Sequence, residues 1–140
     1  MAGKVIDWQR GEFGFRPAGE PIWKNLFVDD ERPAPEGWML FGTAEEAIGG
    51  LESLRGRGET VNRLSLDFDL GVRGGTTQPV LEWMRDNAFW PTELYVHTAS
   101  YDGEALLLEI IRESAPAGVL RGWGCNYWGT GPDSIERNHP

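Results

Sequence analysis

Three short apolar runs in this chain each stop abruptly at polar or charged residues. Asn25-Leu26-Phe27-Val28 ends in Asp29-Asp30, Val61-Asn62-Arg63-Leu64-Ser65-Leu66 runs into Asp67-Phe68-Asp69, and Leu94-Tyr95-Val96 gives way to His97-Thr98. Apolar stretches this short, bounded by such residues, read as buried strands. Two weaker runs join them: Trp38-Met39-Leu40-Phe41, and Gly118-Val119-Leu120-Arg121 near the end.

The segments between the runs have helical spacing. Thr43-Ala44-Glu45-Glu46 has the form of a capping box, with a threonine able to accept the amide three residues on. Ala47, Ile48, Leu51 and Leu54 then fall on one helical face, weakened by Gly49-Gly50 and ended by Arg55-Gly56-Arg57-Gly58. Thr76 or Thr77 can cap a second helix, in which Pro79 is tolerated in the first turn and Val80, Leu81, Trp83 and Met84 are apolar. A third helix is expected over about 102–114, with Leu106, Leu107, Ile110 and Ile111 turned inward. Two connections read as loops. Glu31 to Gly37 holds Pro33 and Pro35 and cannot be helical. Gly71 to Gly75 is glycine-rich.

Strands alternating with helices imply a parallel sheet with right-handed crossovers. In such sheets ligands bind beyond the carboxyl ends of the strands. Three strand ends here carry chemically capable residues, so Asp29, Asp30, Asp67 and Asp69 are expected to meet at one edge. Four carboxylates in one place repel each other unless some are protonated or a cation neutralises them. Mg²⁺ or Mn²⁺ is the natural guest, because such ions take a few carboxylates and can hold a phosphate as well. His97 could serve there as a general acid or base near neutral pH. Thr98 and Ser100 offer hydroxyls to the same oxygens, and Arg32 could grip a phosphate with two nitrogens or pair with a neighbouring acid.

Composition bounds the reading. The chain has 140 residues, one domain's worth, and a formal net charge of −9. That charge argues against general nucleic-acid binding, which needs a basic face. It leaves room for a small phosphorylated ligand reached through a bound cation. No apolar stretch is long enough to span a membrane, and the charged first residues do not suit a signal peptide. Cys125 is the single cysteine, so no intramolecular disulfide can form and a cytoplasmic location is the default. Most of the seven tryptophans are expected to pack. Residues 1–24 read as an N-terminal extension packed on a domain spanning 25–121, and 122–140 as a Trp- and Gly-rich tail. Gly71-Val72-Arg73-Gly74-Gly75 lacks the lysine of a P-loop.

The quoted segments together resemble a known family. Leu26-to-Trp38 (LFVDDERPAPEGW), TAEEAI at 43–48, LSLDFDLG at 64–71 and VHTAS at 96–100 are similar to the receiver superfamily, and within it to the cyclic-phosphate-processing receiver domains. The resemblance spans roughly 25–115. It implies a flavodoxin-like three-layer α/β sandwich around a mostly parallel sheet of four to five strands, from which this chain departs in having the Pro33-Pro35 loop in place of the first helix. It also implies that Asp29 and Asp30 are metal-binding acids, that Asp67 sits where receivers carry the phosphoacceptor, that Thr98 is the switch hydroxyl, and that Asp69 and His97 complete the set. The family carries an invariant lysine after its fifth strand. Lys4 and Lys24 are the only lysines here, and Arg121 could replace that residue in charge but not in geometry. The implied activity is metal-dependent phosphoesterase chemistry on cyclic phosphates: 2′,3′-cyclic ends, cyclic nucleotides or cyclic oligonucleotides. The alternatives are a non-catalytic module that sequesters a nucleotide or binds a protein partner, and a signalling receiver phosphorylated on Asp67.

Overall fold

The fold is taken from a computed structural model that describes residues 24–124. The chain runs β1 (Asn25–Val28), β2 (Met39–Phe41), α1 (Ala44–Gly56), β3 (Arg63–Leu66), α2 (Gly71–Gly74), α3 (Gln78–Asn87), β4 (Glu93–Val96), α4 (Tyr101–Ser114) and β5 (Leu120–Trp123). The five strands form one sheet in the order β2-β1-β3-β4-β5, and every pair is parallel. The parallel sheet is the one expected from the alternating pattern, and the arrangement is the receiver-like, flavodoxin-like α/β fold that the resemblance implies.

The order of the strands explains where the helices lie. From β2 onward, each crossover moves the chain the same way across the sheet. Right-handed connections moving one way place their helices on one face. Accordingly α1 packs beside α3 and α3 beside α4. Their buried residues Leu51, Leu54, Leu81, Met84, Leu107 and Ile111 close on Leu26, Val28, Leu64, Leu66, Leu94 and Val96 from alternate positions of the strands. Fully burying a side chain of this size contributes about 1.5–3 kcal/mol. The opposite row, Phe27, Ser65 and Tyr95 in register, belongs to the other face. Only the β1–β2 connection moves the other way, and it is the Pro33-Pro35 loop. The described residues thus supply the sheet and one helical layer of the expected sandwich.

Parallel strands with returning helices put the N-termini of α1, α3 and α4 at the carboxyl edge of the sheet. Thr43 caps α1, its hydroxyl accepting the Glu46 amide at 3.0 Å, while the Glu46 carboxylate reaches back to the Gly42 amide at 3.0 Å. Both glycines of the Gly49-Gly50 pair lie inside α1, each costing about 1 kcal/mol relative to alanine. Among the described residues, space is open above Gly49: a Cβ there would meet none of them within 4 Å.

Several boundaries differ from the sequence expectation. The glycine-rich 71–75 segment is not all loop, since Gly71–Gly74 forms one helical turn. Of the two candidate caps of α3, Thr76 accepts the Gln78 amide at 3.3 Å, whereas the Thr77 hydroxyl donates to the Asp67 carbonyl instead. The inward face of α4 is Leu107, Leu108 and Ile111, whereas Leu106 is exposed. The last strand begins and ends two residues later than expected. The extension (apart from Lys24), Cys125, His139 and the tail beyond 124 lie outside the described residues. No helix among the described residues is long and apolar enough to cross a membrane.

Candidate functional site

The sheet ladder continues one residue past three strand ends. The Asp29 amide donates to Phe41 O (3.0 Å), that of Asp67 to Val28 O (2.9 Å) and that of His97 to Leu66 O (2.9 Å). The three backbones that carry the candidate chemistry are therefore locked into the sheet. Alternation along each strand puts Asp29, Asp67 and His97 on the same side as Phe27, Ser65 and Tyr95. Asp30, one residue on, is exposed, and its carboxylate lies against Gly71 at the start of α2.

Asp29 is the most tightly held of the acids. Its Oδ1 accepts the amides of Glu31 (2.8 Å) and Arg32 (2.9 Å). Its Oδ2 accepts Arg32 Nη1 (3.1 Å) and His97 Nε2 (2.9 Å). Burial alone would raise its pKa, but the bond from His97 and the two amides outweigh burial and bring it down to about 2. With four donors on two oxygens, Asp29 is a saturated carboxylate.

His97 is 1% exposed and stacks on Phe27, the rings 4.2 Å apart and 9° from parallel. Burial lowers its pKa, against the pull of Asp29, so the ring is neutral and Asp29 carries the charge of the pair. A neutral ring facing a carboxylate must offer its N–H there, which puts the proton on Nε2. Nδ1 then accepts from Ser65 Oγ at 2.6 Å. Both nitrogens are engaged and neither faces the open edge. The acid–base role expected of His97 gives way, in this arrangement, to fixing the position of Asp29. Ser65 was not singled out from the sequence. A serine in the middle of an apolar strand, two residues before the acid, is the signal that it has a buried partner.

Asp67 is held differently. Its side chain accepts the Phe68 amide at 2.8 Å and a bond from the Thr98 hydroxyl. Burial, and after it the nearby Asp29 charge, prevail over those bonds and over Arg32, so its pKa is raised. Arg32 lies between the two acids, Nη1 at 3.1 Å from Asp29 and 3.8 Å from Asp67, with a further bond to His97 O at 3.3 Å. All three contacts run through one guanidinium nitrogen.

Asp29, Asp30 and Asp67 each offer an oxygen within 4.8 Å of the others. Asp69 is not part of this group. The chain turns after Asp67, Asp69 pairs with Thr76 in an antiparallel bridge, and its exposed carboxylate accepts the Gly71 amide at 2.9 Å. Thr98 is where it was expected, beside Asp67. Ser100 is committed elsewhere: its hydroxyl caps α4 by accepting the Gly103 amide at 3.0 Å. The donor set suits a hard divalent cation, since it is all oxygen and Asp67 is short of counter-charge. Asp30 and Asp67 are the residues that would hold it, Asp29 being already saturated.

With this geometry in hand, the comparisons agree with the resemblance. The family model for the cyclic-phosphate processing receiver domain matches residues 24–113, and the chain belongs to that family. No curated protein and no solved structure matches it.

Proposed function

We propose that this domain binds a cyclic phosphodiester at the Asp30–Asp67 edge and opens its ring by hydrolysis. The observation that carries the reading is the imbalance at Asp67: a buried carboxylate of raised pKa, beside a second acid, with one arginine nitrogen at 3.8 Å. A carboxylate in that state favours a cation or a proton as its neighbour. Asp30 and Asp67 would hold Mg²⁺ or Mn²⁺, which supplies charge neutralisation on phosphate oxygens and a more acidic water.

The chain's own residues account for the rest. Among the described residues, the Arg32 contacts leave the other edge of its guanidinium to receive phosphate oxygens, as suits a planar fork. In this reading Asp67 takes a proton from the attacking water. The water oxygen bonds to phosphorus, one ring P–O bond breaks, and the departing sugar oxygen takes its proton from solvent, giving a monophosphate ester. Asp29, His97 and Ser65 keep Arg32 and the edge in place. The missing lysine and the replaced first helix favour this reading over a phosphorylation relay on Asp67.

The test is turnover of 2′,3′-cyclic nucleotides and cyclic oligonucleotides with Mg²⁺, with Mn²⁺ and with chelator, for the wild type and Asp67→Asn. Metal-dependent ring opening abolished in the variant is the expected result. Protein that binds the cation, measured by calorimetry, yet opens none of these rings would overturn the proposal.

A further inference from the structure

An open cavity of about 660 Å³ lies between the first half of α1 and the α2–α3 segment, lined by residues that include Ala44, Ile48, Gly49, Arg73 and Pro79. From this we infer that the groove is the nucleobase subsite of the same site, taking a base with amino hydrogens such as adenine. The inference rests on the proposed function, and it names which part of the ligand lies where.

Four observations lead to it. The short α2 turn links the acidic edge to the groove. Asp30 abuts Gly71, the first residue of α2, and Gly74, the last, lines the groove. A helical turn of four residues advances only about 5 Å, so a nucleotide can bridge the two. The cavity is within the size range of small-ligand pockets, about 300–1,000 Å³. Among the described residues its floor is kept bare at a cost in helix propensity: Gly49 sits mid-helix in α1, yet a Cβ there would meet none of them within 4 Å. Core packing therefore does not call for this glycine, whereas a flat ring lying on the helix would. Finally, Glu45 and Glu52 border the groove. Against the single cation Arg73, the two carboxylates leave the groove net negative, which disfavours a second phosphate, and they accept hydrogen bonds from an exocyclic amine.

Gly49→Phe would put a ring into the groove while improving the helical propensity of α1, so the variant should melt no lower than wild type. Binding is measured by calorimetry with Ca²⁺ in place of Mg²⁺, so that the rings are held but not opened, using 2′,3′-cyclic AMP, 2′,3′-cyclic UMP and ethylene glycol cyclic phosphate, which has no base. The expected result is that Gly49→Phe weakens cyclic AMP about tenfold or more and leaves the base-free probe unchanged. Glu52→Gln should narrow the preference for cyclic AMP over cyclic UMP. Equal binding of cyclic AMP by wild type and a folded Gly49→Phe would overturn the groove assignment alone. So would wild-type protein that binds the base-free probe as tightly as cyclic AMP. Wild type that binds none of the three would overturn the proposed function as well.

Discussion

Replacing His97 by phenylalanine tests whether the buried imidazole is a neutral brace for Asp29. Phenylalanine keeps the ring that stacks 4.2 Å from Phe27 and removes both polar contacts, at 2.9 Å to Asp29 and 2.6 Å to Ser65. A hydrogen bond to an ionised group contributes about 1.5–3 kcal/mol and a neutral one about 1 kcal/mol. The variant should therefore lose about 3 kcal/mol in urea unfolding at about pH 7.5. The pH dependence carries the sharper statement. The pKa of His97 is lowered in the folded protein from an ordinary value of 6.5, so the native state binds fewer protons than the unfolded chain below that pH. Stability resting on the neutral ring is complete above pH 6.5 and declines as pH falls, by at most about 1.4 kcal/mol per pH unit. The phenylalanine variant lacks this decline, so the gap between the two proteins should narrow from about pH 7.5 to 5. A gap that stays constant or widens on acidification would mean a native imidazolium, and the brace argument would be refuted.

Two further outcomes follow from named contacts. Asp67→Asn should raise the melting temperature of metal-free protein near neutral pH, by about 2–5 °C, because burial and Asp29 disfavour the Asp67 charge; the gain should vanish in acid, where the carboxyl is protonated, and the variant should show no further rise with Mg²⁺. Gly103→Ala should destabilise the fold by about 1–3 kcal/mol in denaturant titration, since the new Cβ would lie 2.3 Å from the Phe68 ring, and a loss below about 0.5 kcal/mol would contradict that packing.

Much of this architecture is visible in the chain itself. β1, β3 and β4 are apolar runs with few alternatives, Thr43 announces α1, and Pro33 and Pro35 forbid a helix between β1 and β2. The acids at the strand ends follow from the topology. Asp69 is where that reasoning fails. Two residues apart on a strand share a face, so Asp67 and Asp69 looked like a pair. The strand ends at Leu66, however, and the Asx turn onto Gly71 takes Asp69 outward. For α4, an apolar run from Leu106 to Leu108 leaves the helical phase to tertiary packing, and Leu108 takes the place expected for Leu106. Three glycines in 71–75 concealed the turn of α2. The role of His97 could not be read locally, because it depends on Ser65 and Asp29, which come from two other strands.

The gathering of three helix N-termini at the acidic edge has an electrostatic consequence. Each helix end carries a partial positive charge of about half a unit, effective within a turn or so. The chain as a whole carries −9. An anion approaching from afar is therefore repelled, and only within several ångströms does it meet the attractive helix ends. Salt at about 0.1 M screens charges beyond about 10 Å and leaves shorter contacts largely intact. Raising ionic strength should thus speed the arrival of an anion at this edge, the reverse of the electrostatic steering shown by proteins of opposite charge to their ligands.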